Sequence, residues 1–307
     1  MTAPTIQNPG LISWALLVFL SIIWGASFIS VSYALESFSP LMLAAVRIFI
    51  AAICVTSLAF IIGDKLPTLS TKEGQKIWLH CLGMGLFSNV IPFSLLSWGQ
   101  QYVSSGFAGI CMAIVPLLVL PLSIIFVSEE HFSFKKLIGF SVGFLGVILL
   151  IGPNSILNLS ENIISSARLA CVGAAACYSI GSIITRRCPE VSLISFSAAA
   201  LILASIIIVP IALITEGLPQ NLTIKSFIAI SYLGLIPTAV ATIILVRIIQ
   251  TAGPAFMSQV NYQVPIWSII FGTLFLNEIL PTQFFLAFLL IATGLLITQA
   301  KIWRLRP

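Results

Sequence analysis

The sequence predicts an all-α polytopic membrane protein, with ten transmembrane helices in two inverted five-helix repeats. Three observations carry this expectation. The chain of 307 residues is 59% hydrophobic and only 7% charged, with a mean hydropathy of +1.14. A segment from Lys76 to Glu129 recurs 149 positions later as Lys225 to Glu278. Lys and Arg gather on alternate connections, the bias that orients polytopic chains in a bilayer.

Composition excludes an ordinary soluble protein of this length. A bilayer core of about 30 Å takes about 20 apolar residues as helix, whereas a barrel would alternate apolar and polar residues over strands of about ten. The runs here are long and continuous. The first span, at 11–34, carries Trp24-Gly25-Ala26-Ser27. Ser32 and Ala34 imitate a signal-peptide cleavage site, but no Lys or Arg precedes the run, which is about twice an ordinary h-region, so it reads as an uncleaved helix. The second span, at 40–62, opens on Ser39-Pro40 and contains Arg47, and the third, at 77–98, contains Gly85, Asn89 and Pro92. The fourth, at 104–127, contains Pro116, and the fifth, at 135–152, bears Gly139, Gly143 and Gly146. The sixth, at 163–185, includes Arg168 and Cys177-Tyr178, and the seventh covers 191–214. The eighth, at 226–246, holds Gly234, Pro237 and Thr238, the ninth runs over 252–276 through Pro265, and the tenth, at 281–300, holds Gly294.

The net charge of +5 follows topology and is no nucleic-acid footprint. With Arg47 and Arg168 inside spans, eleven of the remaining Lys and Arg fall on the side of the even-numbered loops and the C-terminal tail, and one, Lys225, falls on the other. Both termini are therefore expected in the cytoplasm. The recurrent segments share nine residues, among them Gly85/Gly234, Pro116/Pro265 and Glu129/Glu278. The offset carries the chain past five spans, an odd number, so the second copy crosses the membrane inverted, an architecture common among secondary transporters. The six Cys show no metal-ligand spacing or disulfide framework and read as small apolar residues.

Trp24-Gly25-Ala26-Ser27, Ser39-Pro40 with Arg47, and a proline followed thirteen residues later by a glutamate (Pro116 to Glu129, Pro265 to Glu278), each before a glycine-bearing closing helix, form an ordered set. In this set the chain resembles the EamA-type members of the drug/metabolite transporter superfamily. The resemblance implies repeats at 1–152 and 163–302 with a short cytoplasmic tail at 303–307, a central substrate cavity, and export or exchange of small metabolites in the inner membrane. It departs from the family where Cys177-Tyr178 stands at a position often held by tryptophan.

Polar side chains inside hydrocarbon are costly unless they face a cavity or each other, so they mark candidate sites. Gln259, Asn261, Tyr262 and Gln263 before Pro265 form the richest cluster. Helical spacing places Phe256, Gln259, Tyr262, Gln263 and Ile266 on one face and turns Asn261 elsewhere. The corresponding face of span 4 (Phe107, Ile110, Ala113, Ile114, Leu117) is apolar, so a cavity between the two suits an amphipathic metabolite such as an apolar amino acid. The same amides serve equally as glue between helices, where such pairs contribute about 0.6–2 kcal/mol. Trp24, Ser27, Asn89 and Tyr178, the last with Ser182, are further candidates for the cavity wall. Arg47, the charge set well inside a span, either holds a substrate carboxylate or is satisfied by helix-end carbonyls or by Glu36 or Glu278. Pro116, Pro265, Glu129 and Glu278 read as structural anchors or gate elements.

No GxxxxGK[ST] loop is present, so this chain is not expected to use ATP. No Asp or Glu lies in mid-span and there are two His, so a membrane-embedded enzyme cannot be assembled and no cofactor is expected. Either a boundary glutamate couples transport to protons, or the protein is a facilitator or exchanger. A solute pore or a nontransporting scaffold is the alternative, and the sequence sets no oligomeric state.

Overall fold

The computed structural model describes residues 10–126, 134–152 and 162–299, and among them every regular element is a helix. In chain order these are α1 (Leu11–Ala34), α2 (Pro40–Ile61), α3 (Lys72–Gly99), α4 (Ser105–Phe126), α5 (Phe134–Ile151), α6 (Ile163–Arg187), α7 (Leu193–Thr215), α8 (Ile224–Ala252), α9 (Val260–Leu276) and α10 (Thr282–Gln299). A single turn, Pro254–Met257, precedes α9. Seven helices, α1 to α4 and α6 to α8, are long and apolar enough to cross a membrane. Shorter apolar stretches lie at Leu137–Ile151, Val260–Leu276 and Thr282–Gly294. Glu129 and the tail at 303–307 fall outside the described residues.

Helix starts follow local side-chain chemistry. Thr71, Ser104 and Thr223 each accept a hydrogen bond from a backbone N–H of the first turn of α3, α4 and α8, replacing a partner the helix itself cannot supply. Large apolar side chains such as Leu11, Phe60, Ile214 and Leu274 point outward, as a lipid-facing surface requires. Inside, Phe107, Leu17, Leu20, Ile110 and Leu117 belong to one fully buried cluster.

The packing has a regular scheme. α2 lies along α7 and α5 along α10. α1 packs on α8 and α9, just as α6 packs on α3 and α4. Close approach is made possible by missing side chains. A Cβ on Gly294 would lie 2.4 Å from the Gly139 carbonyl, so α5 and α10 touch backbone to backbone. One on Gly25 would lie 2.3 Å from the Trp267 Cβ, which fixes α1 against α9.

The connections sort to two ends. At one, Lys225 pairs with Glu36 at 2.6 Å, the Met42 N–H donates to Glu216 at 2.9 Å, and the Tyr33 hydroxyl donates to the Phe275 carbonyl at 3.2 Å. At the other, Ser192 donates to Asp64, the Ser195 hydroxyl donates to the Lys65 carbonyl at 2.8 Å, and Arg186 donates to the Gln250 carbonyl at 3.3 Å. Lys225, the basic residue isolated from the others in the sequence, is thus neutralised by a local acid.

Two features depart from the expected helix boundaries. α8 continues to Ala252, beyond the expected end at 246, and stops where Gly253 takes a φ of 85°, a conformation that costs glycine little. The ninth span is not one continuous helix from 252: the chain leaves helical geometry at Gly253, and at Ser258 and Gln259 its hydrogen bonds tighten to a three-residue spacing, as a turn, before α9 begins. α3 and α8 each contain a widened π-helical turn, Leu86–Val90 and Leu235–Val240, directly after the repeated Gly85 and Gly234. Proline supplies the reason, because Pro237 has no N–H for the Leu233 carbonyl one turn earlier. The Thr238 hydroxyl takes that role and donates to the Leu233 carbonyl at 2.7 Å.

Candidate functional site: a central cavity with a buried cation

α1, α2, α3, α4, α6, α8 and α9 enclose a central cavity of about 90 Å³. Both π-helical turns reach it, one through Ser88 and Asn89 and the other through Pro237. α1 contributes Trp24 and Ser27, and the Trp24 indole N–H donates to the Pro237 carbonyl at 3.1 Å. The widened turn of α8 is therefore held from two sides, by Trp24 at Pro237 and by α2 at Thr238.

Arg47 makes the second of these contacts. Its Nε and Nη2 donate to the Thr238 hydroxyl at 3.2 and 3.1 Å, and its guanidinium carbon lies 3.7 Å from the centre of the Phe93 ring. The residue is 5% exposed, yet its recorded partners are a neutral hydroxyl and an aromatic face. Neither acid considered from the sequence reaches it. Glu36 pairs with Lys225, and Glu278 accepts from the Ser105 and Gly106 N–H groups at 2.7 and 2.9 Å. That second contact follows from local geometry. Asn277 adopts a left-handed conformation with φ 52° that reverses the chain, and Gly272 leaves the space the carboxylate fills at the start of α4.

Of the residues singled out from the sequence, Trp24, Ser27, Arg47, Asn89 and Tyr178 come together at the cavity, with Ser182. Gln259, Tyr262 and Gln263 do not line it, and Asn261 does. The break at Ser258 and Gln259 ends the continuous helical spacing on which the expected face depended. Phe256 instead packs edge-on against Trp14 at 5.0 Å, Ile266 is largely exposed, and Gln263 accepts from the Ser21 hydroxyl at 3.1 Å. Pro116 and Pro265 are buried in α4 and α9 without lining the cavity.

Gln100 is a cavity residue that the sequence reading passed over. It lies just beyond the expected end of span 3, so a tally of polar residues inside spans omitted it. Both polar atoms of its amide are buried without a hydrogen-bond partner in the protein, as is Nδ2 of Asn89. Among the described residues no Asp, Glu, Lys or His lines the cavity, and its remaining wall is mainly aromatic and aliphatic. The chamber can therefore take an apolar body with a polar, charge-bearing head.

The profile of the EamA-like transporter family matches residues 12–152 and 165–299, two copies that together span most of the chain. The chain belongs to the EamA-like transporter family. It is 28% identical over 258 residues to the protein named uncharacterized inner membrane transporter YedA of Escherichia coli (strain K12), covering 83% of this chain and 79% of that one. It is 24% identical over 285 residues to protein PecM of Dickeya dadantii (strain 3937), covering 90% and 89% of the two chains. With the transporter YoaV of Bacillus subtilis (strain 168) it shares 22% identity over 281 residues, 91% and 94% of the two chains. A crystal structure matches 95% of this chain with a TM-score of 0.68 at 18% identity, a likeness of fold alone. Family and apolar helices together make this a multi-pass membrane protein of transporter type.

Proposed function

We propose that this EamA-family protein is a secondary transporter that exports small amphipathic metabolites, amino acids or related compounds, across the inner membrane by alternating access. The observation that carries the proposal is the central cavity, walled by helices from both halves of the chain and presenting Arg47 and unpartnered amides against an apolar lining. In this reading the long and short apolar helices make ten crossings, in two inverted five-helix repeats at 1–152 and 163–302. The exchangeable packing of α1 and α6, the self-matched pairs α2/α7 and α5/α10, and the paired π-helical turns support it. Sorting of the connections to two ends supports an alternating path, and the charge bias supports cytoplasmic termini. Rocking of the halves about the cavity exchanges the roles of α4 and α9 between inward-open and outward-open states.

The Glu278 carboxylate already accepts two backbone N–H groups, which favours a facilitator or exchanger over proton coupling at that residue. The test is flux in proteoliposomes after a metabolite-toxicity screen has supplied candidate solutes. Saturable uptake that is stimulated by solute on the opposite side is the result expected of a carrier. Linear, unsaturable flux identifies a pore instead.

A further inference from the structure

We propose that the cavity selects organic acids of net charge −1, with Arg47 receiving the carboxylate and the amide N–H of Asn89 completing its hydrogen bonds. The inference rests on the cavity being the substrate site and narrows what that site accepts, from amphipathic metabolites in general to monoacids, which sets zwitterionic amino acids aside in favour of related acids without the ammonium.

Arg47 is buried, and among the described residues no carboxylate lies within ion-pairing distance of it. A buried charge is tolerated poorly unless it is paired or solvated. Thr238 occupies Nε and Nη2, and a guanidinium has five N–H donors, so donors remain for a second partner. Asn89, one turn from the Phe93 ring that Arg47 covers, is 3% exposed, and its Nδ2 has no hydrogen-bond partner in the protein; Gln100 lines the same cavity about three turns further along the chain. A carboxylate accepts from the remaining guanidinium N–H groups and from the Asn89 Nδ2–H together, and converts neutral hydrogen bonds into charge-assisted ones.

The lining also excludes. A cationic solute would meet Arg47 with no acid to offset it, because among the described residues no Asp or Glu lines the cavity. The ammonium of a zwitterion meets the same deficit. A dianion brings a second charge for which the described residues of the lining supply no second cation. The body of the favoured ligand lies against Trp24, Phe28, Leu96, Met112, Leu245 and Val264, so an unbranched polar acid gains less than one with an aliphatic or aromatic body.

Four solutes matched in shape test this with the purified full chain: 4-methylpentanoate, leucine, isoamylamine and isoamyl alcohol, which differ in charge around one branched skeleton. Affinity is read from the dose dependence of thermal stabilisation at neutral pH. 4-Methylpentanoate is expected to bind at least tenfold more tightly than each of the other three. Arg47→Gln is expected to reduce its affinity to that of the alcohol while leaving the alcohol unchanged, and Arg47→Lys, which keeps the charge should the glutamine variant not fold, is expected to retain the preference. Leucine, the amine or the alcohol binding as tightly as the acid overturns the proposal, as does the absence of any stabilisation by the acid. The transporter reading has a separate readout, because a neutral or cationic solute showing saturable, trans-stimulated flux would sustain it while this inference fell.

Discussion

Arg47 and Thr238 are joined by two hydrogen bonds, at 3.2 and 3.1 Å, and the same threonine hydroxyl donates onward to the Leu233 carbonyl at 2.7 Å. One side chain thus repairs the backbone opened by Pro237 and holds the buried cation of the cavity wall in place. A helix irregularity and a candidate binding group therefore depend on the same atom.

Thr238→Val keeps the shape but removes both roles, leaving Arg47 and the Leu233 carbonyl unmatched. Each buried polar group left without a partner costs about 1–3 kcal/mol. The expected outcome is a midpoint of thermal unfolding lower by several degrees, with reduced transport, and Thr238→Ser should restore both. A Thr238→Val variant with the wild-type midpoint would show that water replaces the hydroxyl at no cost.

Trp24 donates to the Pro237 carbonyl from the opposite side of the same turn. Trp24→Phe retains an aromatic wall and deletes the donor, which on average contributes about 1 kcal/mol. Transport is expected to fall without loss of membrane abundance. Wild-type kinetics in this variant would assign Trp24 to packing alone.

Glu278 holds the first turn of α4 through two N–H groups. Glu278→Ala is expected to lower stability by about 1–2 kcal/mol, the usual cost of losing a favourable charge and cap at a helix N-terminus. If the residue is only an anchor, dissipating the proton gradient changes transport by the same factor in wild type and variant. A gradient response confined to the wild type would make it a coupling residue.

Asn261 faces the cavity, whereas Gln263 bonds Ser21 of α1. Asn261→Ala is expected to raise KM for the transported solute several-fold. Gln263→Ala should cost about 0.6 kcal/mol in stability, the average for such contacts between membrane helices, and leave KM unchanged. The reverse pattern would return the site to the face that continuous helical spacing gives.

The sequence was informative about the cavity lining wherever one residue had to be unusual by itself. Arg47 and Asn89 stand out because a charge or an amide inside an apolar span demands an explanation, and both reach the cavity. Trp24, Ser27 and Tyr178 were marked by position in a recognisable pattern and also arrive there. The ninth span misled because its rotation depends on uninterrupted helix, and Ser258 and Gln259 interrupt it. Gln100 escaped because what matters is its missing partner, a property of three dimensions.

By itself the sequence determined that the chain is a family of apolar helices belonging to a membrane, where its polar residues sit along them, and which family it resembles. Transfer of apolar side chains from water to lipid is local and additive, so composition and run length settle it. Tertiary structure alone decided that Glu36 serves Lys225 and Glu278 serves α4, so that Arg47 is left to the cavity. Partner choice depends on distances between helices remote in sequence, and a shift of one turn is enough to give a charge a different neighbour.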